Sequence, residues 1–215
     1  MDELDILKKD WQKKGEELPK LSYNDIYKMI WKKSSSSVKW IFIISILEFI
    51  LPNLLLLIPS VRTHQIEIYY SNNSKHLFLW LTIFQYIVIF YFIYQFYKRY
   101  KEISVLDDAK TLMKNILRTR KTVKHYIIFS LSMIFLTMLL MAASVYFNPD
   151  MLSVFYKTDI PDGLTEEELR TMLAIGFVII SIVMTSIIGL IYFLLYGLLI
   201  RKLNKNYKEL KRMEI

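Results

Sequence analysis

The run over residues 38–58, VKWIFIISILEFILPNLLLLI, limits this chain more than any other stretch. A helix rises about 1.5 Å per residue and a bilayer's hydrocarbon core is about 30 Å thick, so roughly 20 apolar residues cross it. This run has 21 residues, interrupted only by Lys39, Glu48 and Asn53. Trp31, Lys32, Lys33 and Trp40 stand at its entrance, and indoles and ammonium groups settle at headgroup level. The chain therefore reads as an integral membrane protein. The run is too long for the apolar region of a signal peptide and lacks a small-residue cleavage site, so it is expected to stay as an anchor.

Three further apolar runs follow, at 77–97, 126–147 and 172–200. The fold class expected is an all-α membrane protein of four transmembrane helices with cytosolic amphipathic helical extensions. Residues 1–37 form a preface, 38–200 the transmembrane domain with a cytosolic helix inside 98–125, and 201–215 a cytosolic helical tail. The fourth run has 29 residues, more than a bilayer needs, which implies tilt or a protruding end. Leu203, Tyr207 and Leu210 continue its helical spacing into the tail.

The connecting segments carry local signals. In the preface, Leu4, Leu7 and Trp11 share one helical face, and Ile26, Ile30 and Trp31 belong to a second amphipathic segment that opens at a Ser22–Asp25 capping pair. These faces either lie on the membrane surface or a partner, or pack on the protein's own helices. Ser34–Ser37 reads as a joint before the first span. Residues 60–76 read as an extended loop or hairpin, Ser104 with Asp107 as the cap of the middle helix, and Thr165 with Glu168 as the cap of the last.

Charge then sets orientation. Of the 28 Lys and Arg residues, 24 lie in segments 1–39, 98–125 and 201–215, and 4 lie in 59–76 and 148–171. The positive-inside rule places both termini in the cytoplasm. The net charge of +8 is explained by anchoring at an anionic surface, and no zinc-finger spacing, aromatic platform or recognition helix points to nucleic acid. The lipid bilayer is the first partner. A cytosolic protein and a second copy of the chain are the others considered.

Glu48 is the only formal charge well inside a span, and a buried carboxylate costs at least a few kcal/mol there. Counting from the span ends puts Glu48, Gln85, Tyr86, Thr137, Thr185 and Ser186 at similar depth, a polar layer at the bilayer centre. One reading is a proton- or ion-coupled site or a polar switch. The other, which the lack of a second ionisable residue in the layer favours, is interhelical hydrogen bonding that fixes register. Ser181, Thr185, Gly189 and Gly197 form a track of small residues for close helix packing.

Enzyme signatures are missing: there is no HExxH, GxSxG, P-loop or GxGxxG. With no cysteine, thiolate chemistry and Cys-ligated metals are excluded. His64, His76 and His125 all fall outside the spans, so paired haem ligation within the membrane is not available, and no cofactor is expected. Glu166-Glu167-Glu168-Leu169-Arg170 resembles the Glu-Glu-x-x-x-Arg signature of intramembrane CPBP-type proteases but is one residue short and lacks their later histidines. It reads as a solvated helix start.

The opening DELDILKKDWQ, the later NDIYKMI and the segment KSSSSVKWI resemble an uncharacterised family of small bacterial membrane proteins over residues 1–50. Members look like companions of sigma factors, which implies membrane-anchored, anti-sigma-like regulation at the bacterial inner membrane. Some bear the name β-carotene oxygenase. Such enzymes hold iron with four histidines on a β-propeller, which a helical chain with three histidines contradicts. The expectation is a non-enzymatic four-span protein whose cytosolic helices bind a protein partner. The alternative is a small transporter or channel subunit built around Glu48.

Overall fold

The computed structural model describes residues 22–61, 75–104, 108–148, 151 and 165–213. The described residues form four long helices and contain no strand: α1 Tyr23–Leu55, α2 Lys75–Ser104, α3 Ala109–Phe147 and α4 Glu166–Met213. All four are long and apolar enough to cross a membrane. Leu4, Leu7 and Trp11, and most of the loop expected at 60–76, lie outside the described residues.

Each helix starts or stops where the local chemistry dictates. The Ser22 hydroxyl accepts from the Asp25 N–H at 3.2 Å while the Asp25 carboxylate accepts from Ser22 N–H and O–H. Two of the orphan donors at the start of α1 are thereby satisfied. Thr165 and Glu168 make the same reciprocal pair ahead of α4. At the far end of α1, Leu56, Leu57 and Ile58 donate to carbonyls three residues back. The regular helix therefore stops at Leu55 rather than running to Ile58.

The helices exceed the bilayer. At about 1.5 Å per residue, the 33 residues of α1 span about 50 Å and the 48 of α4 about 72 Å. The excess gathers at one end, where the start of α1, the end of α2, the start of α3 and the end of α4 meet. The Trp31 indole N–H donates to the Ile103 carbonyl at 2.8 Å, Arg120 donates to Asn204 at 3.0 Å, and Asn206 donates to the Ser34 hydroxyl at 2.9 Å. Neighbours pack in the ring order α1–α2–α3–α4–α1, with α3 and α4 sharing the most extensive interface. The main core fills this basic end: Ile30, Val38, Ile103, Leu112, Ile116, Leu203 and Leu210 are all buried.

Two expected boundaries are corrected. Ser34–Ser37 is not a joint, because α1 runs through it unbroken. The Ser37 hydroxyl donates to the Lys33 carbonyl at 3.0 Å, and Ser34 and Ser37 are buried where α4 crosses. Short side chains let the helices approach there. Nor does a helix begin at Ser104: α2 continues through it, and α3 opens after Asp108. The extension pulls Ile103 into the core, with its backbone held by Trp31.

Candidate functional site

Above the packed core the helices leave a cavity of about 290 Å³ that takes lining residues from all four. Helix α1 contributes Glu48, Phe49, Pro52 and Asn53; α2 contributes Thr82, Gln85, Tyr86 and Ile89. Tyr126, Phe129, Ser130 and Ile134 come from α3 and Tyr192 from α4. One carboxyl, two amides and several hydroxyls thus converge within otherwise apolar walls, the usual make-up of a small-ligand site.

Glu48 is the centre of that set. Its Oε2 accepts from the Tyr126 hydroxyl at 2.6 Å and from the Tyr196 hydroxyl at 3.0 Å. The carboxyl thereby ties α1 to α3 and α4. Its other oxygen, Oε1, is buried and has no hydrogen-bond partner among the described residues. Buried polar atoms are nearly always paired, and leaving one unpaired costs about 1–3 kcal/mol or more. Pro52 adds to the local deficit: lacking an N–H, it cannot make the helical bond to the Glu48 carbonyl four residues before it.

The tyrosines are fixed by ring packing. Tyr126 makes edge contacts with Phe96 at 5.4 Å and Tyr196 at 5.9 Å between centroids, and Tyr192 meets Tyr196 edge-on at 5.8 Å. Phe92 closes the cluster at 5.4 Å from Tyr126. Such pairs hold rings in defined orientations, so the hydroxyls are set around Oε2 in advance. On the other side of the cavity Tyr86 donates to Asn53 Oδ1 at 2.9 Å, and the Asn53 amide donates to the Phe49 carbonyl at 2.7 Å.

The residues expected to share one polar layer are divided. Glu48, Gln85 and Tyr86 line the same cavity. Thr137 is 11 residues beyond Tyr126, about 16 Å along the helix, and its hydroxyl donates to the Met133 and Ile134 carbonyls. Thr185 lies the same distance from Tyr196 with a buried hydroxyl that has no partner among the described residues, and Ser186 is exposed and bonded to its own helix at Ile182. Depth counted from the ends of apolar runs fails because the runs differ in length, while contacts at the basic end set the true register.

Along the small-residue track, Ser181 is buried and donates to Val178. Gly189 faces Leu131 of α3, whose Cδ1 would lie 3.7 Å from an added Cβ, so this is packing within the chain. At Gly197 the atoms nearest an added Cβ belong to Phe193 of the same helix. Ile30 is buried and Ile26 and Trp31 pack against the core, so their face is occupied by the chain's own helices.

Sequence reasoning missed Asn53, Tyr126, Tyr192 and Tyr196 as partners of the site. The available signal was in α4: Tyr192 and Tyr196 are the only tyrosines in the 29-residue apolar run, spaced four apart on one face. Among the described residues no group of three or more His, Asp or Glu is placed to hold a metal ion.

A family model described as a domain of unknown function (DUF8845) matches residues 24–215. Neither a curated protein nor a solved structure matches the chain.

Proposed function

The chain belongs to the DUF8845 family, and we propose that it is a small non-enzymatic transporter-type membrane protein in which Glu48 exchanges a proton, or another small cation, with the intramembrane cavity. One observation carries this reading: Glu48 has one oxygen held by two tyrosine hydroxyls and the other buried without a partner among the described residues, in a carboxyl that lines a polar cavity. A group serving only as a tie between helices gains nothing from an unpaired oxygen. A group that takes up a proton or a cation needs that oxygen vacant. The cavity is roomy enough for several waters or a small ammonium ion, since a water needs about 10–15 Å³ of such space, and ionisable groups inside the membrane mark ion and proton paths.

Orientation follows from the positive-inside rule, with the basic end of the bundle in the cytoplasm and the bacterial inner membrane as its location. Proton flux tests the reading. In phosphatidylcholine–phosphatidylglycerol liposomes holding a pH-sensitive dye, a potassium diffusion potential set by valinomycin is expected to drive acidification with the native chain. Glu48→Gln removes it. Equal flux from both proteins rules the reading out.

A second reading is favoured by the position of the core. The four helices overhang the apolar zone and pack firmly at the basic end, which makes a rigid platform for a cytosolic protein partner of the regulatory, anti-sigma-like kind. Full-length protein in detergent would then capture that partner, and Leu7→Asp with Trp11→Ala would abolish capture. Capture unaffected by that pair dismisses the preface as the docking segment.

A further inference from the structure

A second cavity, of about 540 Å³, lies at the basic end between α1 and α4. Lys32 and Lys33 enter it from α1, Lys202 and Lys205 from α4. Four lysines line the cleft with one carboxylate, Glu209, whose Oε1 stands 3.9 Å from the Lys205 ammonium. The cleft therefore keeps an excess of positive charge drawn from two helices, an arrangement that repels itself until an anion enters. Its polar walls include the buried Asn206, whose amide uses one N–H on Ser34 and retains a second.

Height along the bundle names the anion. The apolar run of α1 opens at Val38 and that of α4 closes at Ile200, so the lysines sit within about two turns of both boundaries. Trp40, 54% exposed on α1, stands at the same boundary, where indoles favour the headgroup zone. We propose that this cleft binds the phosphate of a membrane lipid whose headgroup carries a net negative charge. Basic pockets between helices at this level take phosphate headgroups by point-charge attraction and ammonium hydrogen bonds. The site uses none of the residues around Glu48 and stands independently of the role given to that carboxyl.

Native mass spectrometry of the full-length chain in detergent tests it, with phosphatidylglycerol and phosphatidylcholine of matched acyl chains as probes. One phosphatidylglycerol is expected to be retained per chain in preference to phosphatidylcholine. Lys202→Gln with Lys205→Gln lowers that retention about thirtyfold. Lys202→Arg with Lys205→Arg preserves it, and so does Lys121→Gln with Lys124→Gln, an exposed basic pair elsewhere on α3. Equal retention of the two lipids overturns the proposal, as does a loss common to the Gln and Arg variants or an equal loss from the α3 pair. Millimolar inorganic phosphate that binds in the lipid's place would overturn the assignment to a lipid.

Discussion

Glu48→Leu and the tyrosine variants separate what the carboxyl does for the fold from what it does for function. Glu48→Leu removes a desolvated carboxyl but strands the Tyr126 and Tyr196 hydroxyls, effects of opposite sign, so it is expected to shift stability in detergent by no more than about 1 kcal/mol. Tyr126→Phe or Tyr196→Phe leaves the carboxyl in place with one donor fewer. Each is expected to cost about 1 kcal/mol, a typical interhelical hydrogen bond. Reversible unfolding in mixed micelles reads both effects, and a large loss for Glu48→Leu would mark the group as structural. Glu48 itself was legible as the one formal charge well inside a span. Its hydroxyl partners were not, because tyrosines near the ends of apolar runs read as interfacial anchors, and only the packed register turns Tyr126 and Tyr196 inward.

Helix ends are where acidity acts. The Ser22 hydroxyl and backbone N–H hold the Asp25 carboxyl below its ordinary range, and Thr165 holds Glu168 down in the same way, the backbone N–H first. A folded-state value below the unfolded one gives stability that is present above the ordinary carboxylate range and lost as pH falls through the depressed value. The first turns of α1 and α4 are therefore expected to fray on acidification below that range. Ser22→Ala should speed amide exchange in the first turn of α1 about fivefold at neutral pH and reduce its acid sensitivity, the backbone N–H alone then holding Asp25; exchange followed by mass spectrometry reads both. Both caps were plain in the sequence because Ser-x-x-Asp and Thr-x-x-Glu are local patterns. The continuity of α1 through Ser34–Ser37 was not, since a serine run favours turns by local propensity, and the approach of α4 at Asn206 overrides it.

Across the whole molecule, four helices in ring order place Ser22, Asp108 and Lys211 at one end and His76 and Thr165 at the other. Single cysteines at the first three positions are expected to react with membrane-impermeant maleimide only after cells are opened, and those at the last two in intact cells. Four helices long and apolar enough to cross a membrane were readable from apolar length, and the gathering of Lys and Arg at one end of the bundle from their placement, both local properties. The cavity was not, because all four helices line it above the core, a matter of packing between segments distant in sequence. Infrared difference spectroscopy of the reconstituted protein through a pH step bears most directly on the central claim that Glu48 exchanges a proton inside the membrane. A carboxyl C=O band that rises on acidification and vanishes in Glu48→Gln is the expected result; a spectrum identical in the two proteins would contradict it.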